Sequence, residues 1–481
     1  MKRRGLIDRS IDTIDWMSEL PDHILHRVLS FLPTEEAART SVLSKSWQRA
    51  WSTRSILNFD ETFFGAELNA DEDYQKKSLN FVDESLIRYR ECKLRIQKLR
   101  LQIPNLDWNL AFHIDRWIGI AVENGLEELD ICIETPSVYY RMPQTVLASK
   151  SITVLSLKSC VLEQPLPGNS RRLCSLQKLY LFDVRLDEQI IQTLISTCPL
   201  IESIDLIFCL GLNKYQISGL HKLKEISIFL FKESGFEMVD IDVPSLEKFV
   251  YVATGANVPC TVNVAATPNM KKLHLSCDRI TDESFQELIS KFPNLESLSI
   301  GCCHMLERIK ISSPRLKRFA LVHCDKLVEV KIDASNLESC YYSGNPEPVL
   351  SSSAAAGDRW IAKRIHLEWR NLGGLLVPPV HEVEKVELDV QSLSSYSAFV
   401  DGLLWSCHPR FLHVQSQCNN EFIEFLRETL MDREHPQCCS SEHIKCWRHY
   451  LKDVKIESFG GIEDEKPIHS QTSFRLKWRS H

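Results

Sequence analysis

Cys438, Cys439, His443 and Cys446 fall within nine residues, and thiolate and imidazole are ligand types that zinc favours. Adjacent cysteines are poorly placed to chelate one ion, however, and the spacing fits no zinc finger, so no metal is expected. His381-Glu382 lacks the second histidine of a His-Glu-x-x-His helix, which removes a zinc-peptidase reading. No Gly-x-Ser-x-Gly, Gly-x-x-x-x-Gly-Lys or Gly-x-Gly-x-x-Gly occurs, so the commonest hydrolase and nucleotide-binding arrangements are missing too. Cys302-Cys303 opens the loop after a strand-like segment, and Cys160, Cys209 and Cys324 stand in similar places, where small thiols pack. The basic and aromatic residues of WRHYLK (447–452) could stack on nucleic-acid bases, but the strand-like VKIESF behind them points to a sheet edge. No catalytic residue and no cofactor is expected.

Composition narrows the classes further. The chain has 481 residues and a formal charge of −7, which argues against nucleic acid or an anionic membrane as its main partner. No run approaches the ~18 apolar residues of a spanning helix. The basic start MKRRGLIDRS has no apolar run behind it and reads as a solvated terminus rather than a secretory signal. The 17 cysteines are therefore expected to be reduced, in nucleus or cytoplasm. With only 17 glycines, phosphate-cradling loops have few places to form.

The elements that position everything else come from a repeat. An apolar residue, two variable ones and then apolar–x–apolar recur from LEELDI at Leu126 and ITVLSL at Ile152 to LKRFAL at Leu316 and LESCYY at Leu337. Ten such units succeed one another at 21 to 26 residues, which is the period of leucine-rich repeats. Each unit supplies one short strand whose inward apolar row can be buried only by a stacked neighbour, so the strands must form a parallel sheet. LDEQIIQTLISTCP (186–199) and TDESFQELISKFP (281–293) have helical spacing and should return as helices. The 21-residue units near Leu298–Cys340 are too short for that and should return extended. KLRLQI near Leu99 reads as a first unit, and KRIHLE and EKVELD read as later ones. Ahead of those two later units, residues 343–358 read as a flexible insertion.

Ahead of the repeats, residues 16–52 read as three short helices. Ile24, Leu25, Val28, Leu29 and Leu32 come after Pro21 at helical spacing, and Pro33 stops that helix. Thr34 can cap the second helix and Ser44 the third, which carries Trp47 and Trp51. The apolar set covers two adjoining faces, Ile24/Val28/Phe31 and Leu25/Leu29/Leu32. One can serve an internal core; the other needs either the neighbouring repeats or a foreign surface.

ELPDHILHRVLSFLPTEEAARTSVLSKSWQRAW resembles an F-box over its whole length. NFDETFF (58–64) and FVDESLIRYR (81–90) resemble the link to leucine-rich repeats in plant F-box proteins, and IKCWRHYLKDVKIESFGG (444–461) is similar to the FBD region that many of them carry. Where that region usually has an apolar helix, the polar EDEKPIHSQ stands here, and FRLKW (474–478) recovers apolar character. The expected fold is α/β: an F-box at 14–58, a linking helical segment at 59–97, a leucine-rich-repeat solenoid at 98–390 with parallel strands on its concave face, and a small α+β FBD-like region at 391–481.

The resemblance implies a non-catalytic substrate receptor of a cullin-based ubiquitin ligase. Its F-box would dock a Skp-family adaptor through Leu20, Pro21, Ile24, Leu25, Leu29, Leu32, Pro33, Val42 and Trp47. The target would lie on outward strand residues, of which Tyr180, Phe182, Phe229, Lys272, His274, Arg318 and Tyr341 are of the types that anchor interfaces. A repeat adaptor acting outside any ligase, an enzyme using the C-terminal thiols, and a small-molecule sensor are the alternatives.

Overall fold

The structure, a computed structural model, describes residues 20–479 apart from 33, 61–63, 65–71, 136–138, 164–172, 231–237, 254–261, 335, 344–348, 353–363, 370–380, 391–399, 401–402, 405–406, 417–420, 432–446 and 458–469. The Cys438/Cys439/His443/Cys446 cluster and Pro33 lie outside the described residues. Two units divide the chain, residues 1–201 and 202–481.

The first unit begins with helices α1 (Asp22–Ser30), α2 (Thr34–Thr40) and α3 (Lys45–Thr53). Strand β1 (Ile56–Phe59) comes two residues later and pairs in parallel with β2 (Lys98–Asn105), Ile56 opposite Lys98. The parallel ladder therefore starts inside the segment expected to be F-box, one strand earlier than the repeats predicted. Helix α4 (Glu72–Glu91) and helix α5 (Trp108–Glu123) flank β2 in sequence, and β3 (Glu128–Thr135), β4 (Val154–Lys158) and β5 (Lys178–Phe182) add in register. The second unit continues the same construction: β6 (Ser203–Ile207), β7 (Glu225–Leu230), β8 (Lys248–Ala253), β9 (Lys272–Cys277), β10 (Ser297–Gly301), β11 (Arg318–Val322), β12 (Ser339–Ser343), β13 (Arg364–Trp369) and β14 (His381–Val390). Each pairs in parallel with the next.

Why these residues make these coils is visible in the burial of each strand. In β5 Leu179 and Leu181 are buried while Lys178 and Phe182 are exposed, and β7, β8 and β10 alternate likewise. Burying each such side chain is worth roughly 1.5–3 kcal/mol, available only when the next coil covers it. Immediately past the strands the backbone turns through the left-handed region at Ser159, Asp183, Phe208, Cys302 and His323, with φ of 46–57°. That conformation costs on the order of 1–2 kcal/mol for a residue with a side chain, and burial of the next residue in the chain offsets it. Cys160, Cys209, Cys303 and Cys324 turn inward, and their Sγ atoms donate to carbonyl oxygens two residues back at 3.4, 3.8, 3.1 and 3.6 Å. The cysteines thus pack as expected, and burial pushes the Cys160 thiol well above its usual range. Cys277 differs from the expected reduced state, being disulfide-bonded.

The approach to β9, β10 and β12 is fixed by side-chain amides. Asn269, Asn294 and Asn336 donate to the carbonyls of Pro244, Pro268 and Pro314 in the preceding coil, at 3.2, 3.0 and 2.7 Å. The residue just before each strand alternates in sign from Glu202 through Lys224, Glu247, Lys271, Glu296 and Lys317 to Glu338, and three of the neighbouring pairs close at 3.8, 2.7 and 3.6 Å. Exposed pairs stabilise little, but removing one coil would set like charges together.

The return segments match their lengths. Glu188–Thr197 and Asp282–Ser290 are helices, capped by Asp187 accepting from Ile190 N at 2.9 Å and by Thr281 accepting from Ser284 N at 3.3 Å. Shorter returns are extended and pair among themselves: Lys214–Ser218 with Met238–Asp242, and Arg308–Ser312 with Glu329–Asp333. In the stretch expected as a flexible insertion, Val349–Ser352 is instead a strand on Glu329–Ile332. At the C-terminus β15 (Cys407–Ser416) pairs in parallel with β14, carrying the ladder past the expected boundary at 390. It then pairs antiparallel with β17 (Ser470–Trp478), which pairs antiparallel with β16 (Leu451–Glu457). This mixed sheet and the helix Glu421–Met431 form the expected small α+β region. His408 stacks on Trp478 at 4.0 Å, and Trp478 Nε1 donates to Pro409 O.

One buried group does not contribute to this packing. The Tyr251 hydroxyl is buried with no hydrogen-bond partner among the described residues, and burial raises its pKa. Tyr251→Phe removes an unsatisfied polar atom without changing shape, so the urea midpoint is expected to hold or rise by up to about 1 kcal/mol of stability. A clear fall in the midpoint would show that the hydroxyl has a partner.

Candidate functional site

Two surfaces stand out, one on the helical module and one on the strands. The module closes a core of its own: Leu25, Leu29, Ala37, Trp47 and Ala50 are buried together, with Leu20, Val28, Leu32 and Trp51 packed around them. Three residues expected at a partner contact, Leu25, Leu29 and Trp47, are thus interior, at 0, 2 and 2 % exposure. Helical spacing alone does not say which of two adjoining apolar faces turns inward. Leu20, Ile24 and Leu32 are half-buried, and Pro21 and Val42 are exposed. Pro21 stands one residue before α1, and its carbonyl accepts from Ile24 N at 2.9 Å and Leu25 N at 3.1 Å.

Local chemistry explains how firmly the module holds. Ser44 caps α3, its Oγ accepting from Trp47 N at 3.4 Å, as expected. Thr34 does not cap α2: its Oγ1 is buried without a hydrogen-bond partner among the described residues, as is Trp47 Nε1. Each such atom costs about 1–3 kcal/mol, a large share of what so small a core can supply. The module is anchored at its far end. Arg54 is buried with its guanidinium 3.7 Å above the Trp51 ring, and burial lowers its pKa to about 10, so the charge persists at neutral pH. Tyr89 of α4 donates to Arg54 O at 2.7 Å, and Phe81 of α4 lies 6.4 Å from Trp51.

Three large apolar side chains remain outside among polar ones. Phe31, Val42 and Leu43 are 75, 85 and 61 % exposed. Phe31 and Leu43 were not among the residues expected at the contact. Phe31 could have been found as the last member of the face Ile24/Val28/Phe31, of which Val28 packs against the core and Phe31 stays outside.

On the strands, Tyr180, Phe182, Phe229, Lys272, His274 and Arg318 alternate with buried residues. In the first unit Tyr180 and Phe182 share β5, and Lys158 Nζ sits 5.6 Å from the Phe182 ring. In the second unit Lys272 and His274 share β9, and Arg318 lies two strands away with Ser297 between them in register. Phe229 lies two strands to the other side, next to Val252, with Phe208 edge-on at 6.5 Å. Tyr341 is beside Ala320 on the strand after Arg318. Burial lowers the His274 pKa, favouring the neutral ring. Among the described residues no three metal-ligating side chains converge.

A small helical module followed by stacked leucine-rich coils defines the class of fold. Comparison with known proteins agrees and makes it specific. The F-box domain model matches residues 17–59, and the model described as At1g61320/AtMIF1, LRR domain matches 87–260 and 254–367. An FBD-associated F-box protein of Arabidopsis thaliana is 28 % identical over 376 residues, spanning 75 % of this chain and 85 % of the relative. An F-box/LRR-repeat protein of the same plant is 30 % identical over 249 residues, 50 % of this chain and 73 % of the relative. A putative F-box/FBD/LRR-repeat protein, also from Arabidopsis thaliana, is 24 % identical over 439 residues, 80 and 93 %. Several other relatives are matched over 52 to 64 % of their length. The chain belongs to the F-box/leucine-rich-repeat family.

The division of the module into core and surface is testable without any partner. Leu25→Asp buries a carboxylate in the closed core and is expected to unfold residues 20–53, seen as rapid proteolysis there. Val42→Asp should leave the proteolysis pattern and thermal midpoint unchanged. Equal sensitivity of the two variants would refute the assignment.

Proposed function

We infer that the protein is a substrate receptor of a Skp–cullin–F-box ubiquitin ligase, acting in nucleus or cytoplasm. The helical module docks a Skp-family adaptor, and through it a cullin, while the outward strand faces hold a target protein. The observation that carries this reading is the exposure of Phe31, Val42 and Leu43 on a module whose own core is already closed. Monomeric surfaces seldom leave three large apolar side chains so open within so short a stretch. Each would gain roughly 1.5–3 kcal/mol on burial. Pro21 and Ile24 complete the adaptor contact, and Leu25, Leu29 and Trp47 support it from beneath.

The chain brings no bond-making chemistry to this task. Among the described residues Cys160, Cys198, Cys209, Cys303 and Cys324 are buried, and burial pushes the Cys198 thiol up to about 11, the opposite of what a nucleophile needs. Its contribution is effective concentration: a target tethered near the conjugating enzyme is met repeatedly rather than rarely. Tyr180 and Phe182 on the first unit, and Phe229, His274 and Tyr341 on the second, are the proposed apolar and aromatic anchors.

The test is direct binding of a purified Skp-family adaptor by calorimetry. Val42→Asp combined with Leu43→Asp is expected to weaken adaptor binding at least ~100-fold while circular dichroism stays that of the wild type. Adaptor binding that survives the double substitution, or that wild type never shows, would favour the rival reading of a repeat adaptor outside any ligase.

A further inference from the structure

The strand face of the second unit carries an uneven charge distribution. Among the first residues of its strands, Glu225 and Lys248 neutralise each other at 3.0 Å. Lys272 and Arg318 are exposed and make no side-chain hydrogen bond or ion pair among the described residues. They flank Ser297 in register, one on each neighbouring strand, so the two cations stand ~10 Å apart across two strand spacings. His274 and Ser299 lie just beyond them on the same face. Nearby carboxylates are otherwise engaged or distant. Glu247 and Glu296 pair with Lys271 and Lys317. Glu338 belongs to the residues before the strands, beside Lys317. Asp205 is three strands from Lys272, ~14 Å, beyond the screening length at physiological salt. Two cations with no ion pair among the described residues, on a chain of net charge −7, suit an anionic partner.

The same face is apolar on one side of this pair. Ile207, Phe229 and Val252 line up in register on β6, β7 and β8, with Val250 beside them, all half-buried. From Lys272 to Phe229 is two strands across and four residues along, ~16 Å. An extended peptide covers that distance in about five residues.

Resting on the reading that this face receives the target, we propose that the target segment is an extended acidic peptide. It places a carboxylate or phosphate between Lys272 and Arg318 and, about five residues away, a bulky apolar side chain on Phe229, Val250 and Val252. Charge-assisted hydrogen bonds from Lys272, Arg318 and Ser297 hold the anion, and a bidentate fork from Arg318 favours a planar or tetrahedral oxyanion over a neutral amide.

The experiment uses the full chain purified with its adaptor and three fluorescent pools of peptides about twelve residues long. Each peptide carries Leu or Phe about five residues from a position occupied by Ser, Glu or phosphoserine, the rest being neutral. The Glu pool, the phosphoserine pool or both are expected to bind at least tenfold more tightly than the Ser pool, and the order of the two tells carboxylate from phosphate. Lys272→Ser with Arg318→Ser should abolish that preference, and Phe229→Ser should weaken all pools. Equal binding of the three pools, or a preference that survives the double variant, overturns the proposal; if Phe229→Ser still weakens binding, the target-face reading stands. Binding by no pool, or binding indifferent to every one of these variants, overturns both.

Discussion

No single coil of this protein can keep its own aliphatic row out of water. Leu179 and Leu181, or Phe249 and Tyr251, are buried only because another coil lies against them in register. That constraint dictates the parallel ladder, the narrow spread of repeat lengths and the column of left-handed residues after the strands. It also decides where variation is free. Inward positions are held to a few aliphatic and aromatic types, whereas outward positions on the same strands run from aspartate to tyrosine. A recognition surface can be rewritten residue by residue on such a frame without touching its stability.

The helical module obeys the same logic at smaller scale. Its core closes over Leu25, Leu29 and Trp47, yet two polar atoms inside it have no partners among the described residues, so its margin is thin. Its security comes from the junction, where Arg54 lies over Trp51 and Tyr89 reaches the Arg54 carbonyl. A small domain that commits apolar side chains to an outer surface, here Phe31, Val42 and Leu43, has fewer left for itself. The same residues make it sticky and make it weak.

Much of this was legible in the sequence. The repeat reads directly because Leu–x–x–Leu–x–Leu is the burial pattern itself, and return lengths told helix from extended segment correctly at 186–199, 281–293 and the short units near Leu298–Cys340. What escaped depended on tertiary context. Ile56–Phe59 is too short to announce a strand until Lys98–Asn105 pairs with it. Val349–Ser352 hides in a Ser- and Ala-rich stretch whose composition suggests no structure. The helical module showed two apolar faces, but only packing against α3 settles that Leu25 turns inward while Phe31 stays out. Likewise Lys272 and Arg318 look like any other basic residues of the repeats until the pairing of Lys248, Lys271 and Lys317 leaves them over.

Only Arg54 and Ser55 separate the last helix of the module from the first strand of the sheet, and Arg54 is clamped from both sides. Such a joint has almost no torsional slack. Whatever grips the module therefore also sets the heading of the ladder strands β1 to β5, as a hilt sets the heading of its blade. A longer, looser splice at this point would preserve every contact surface and still lose aim.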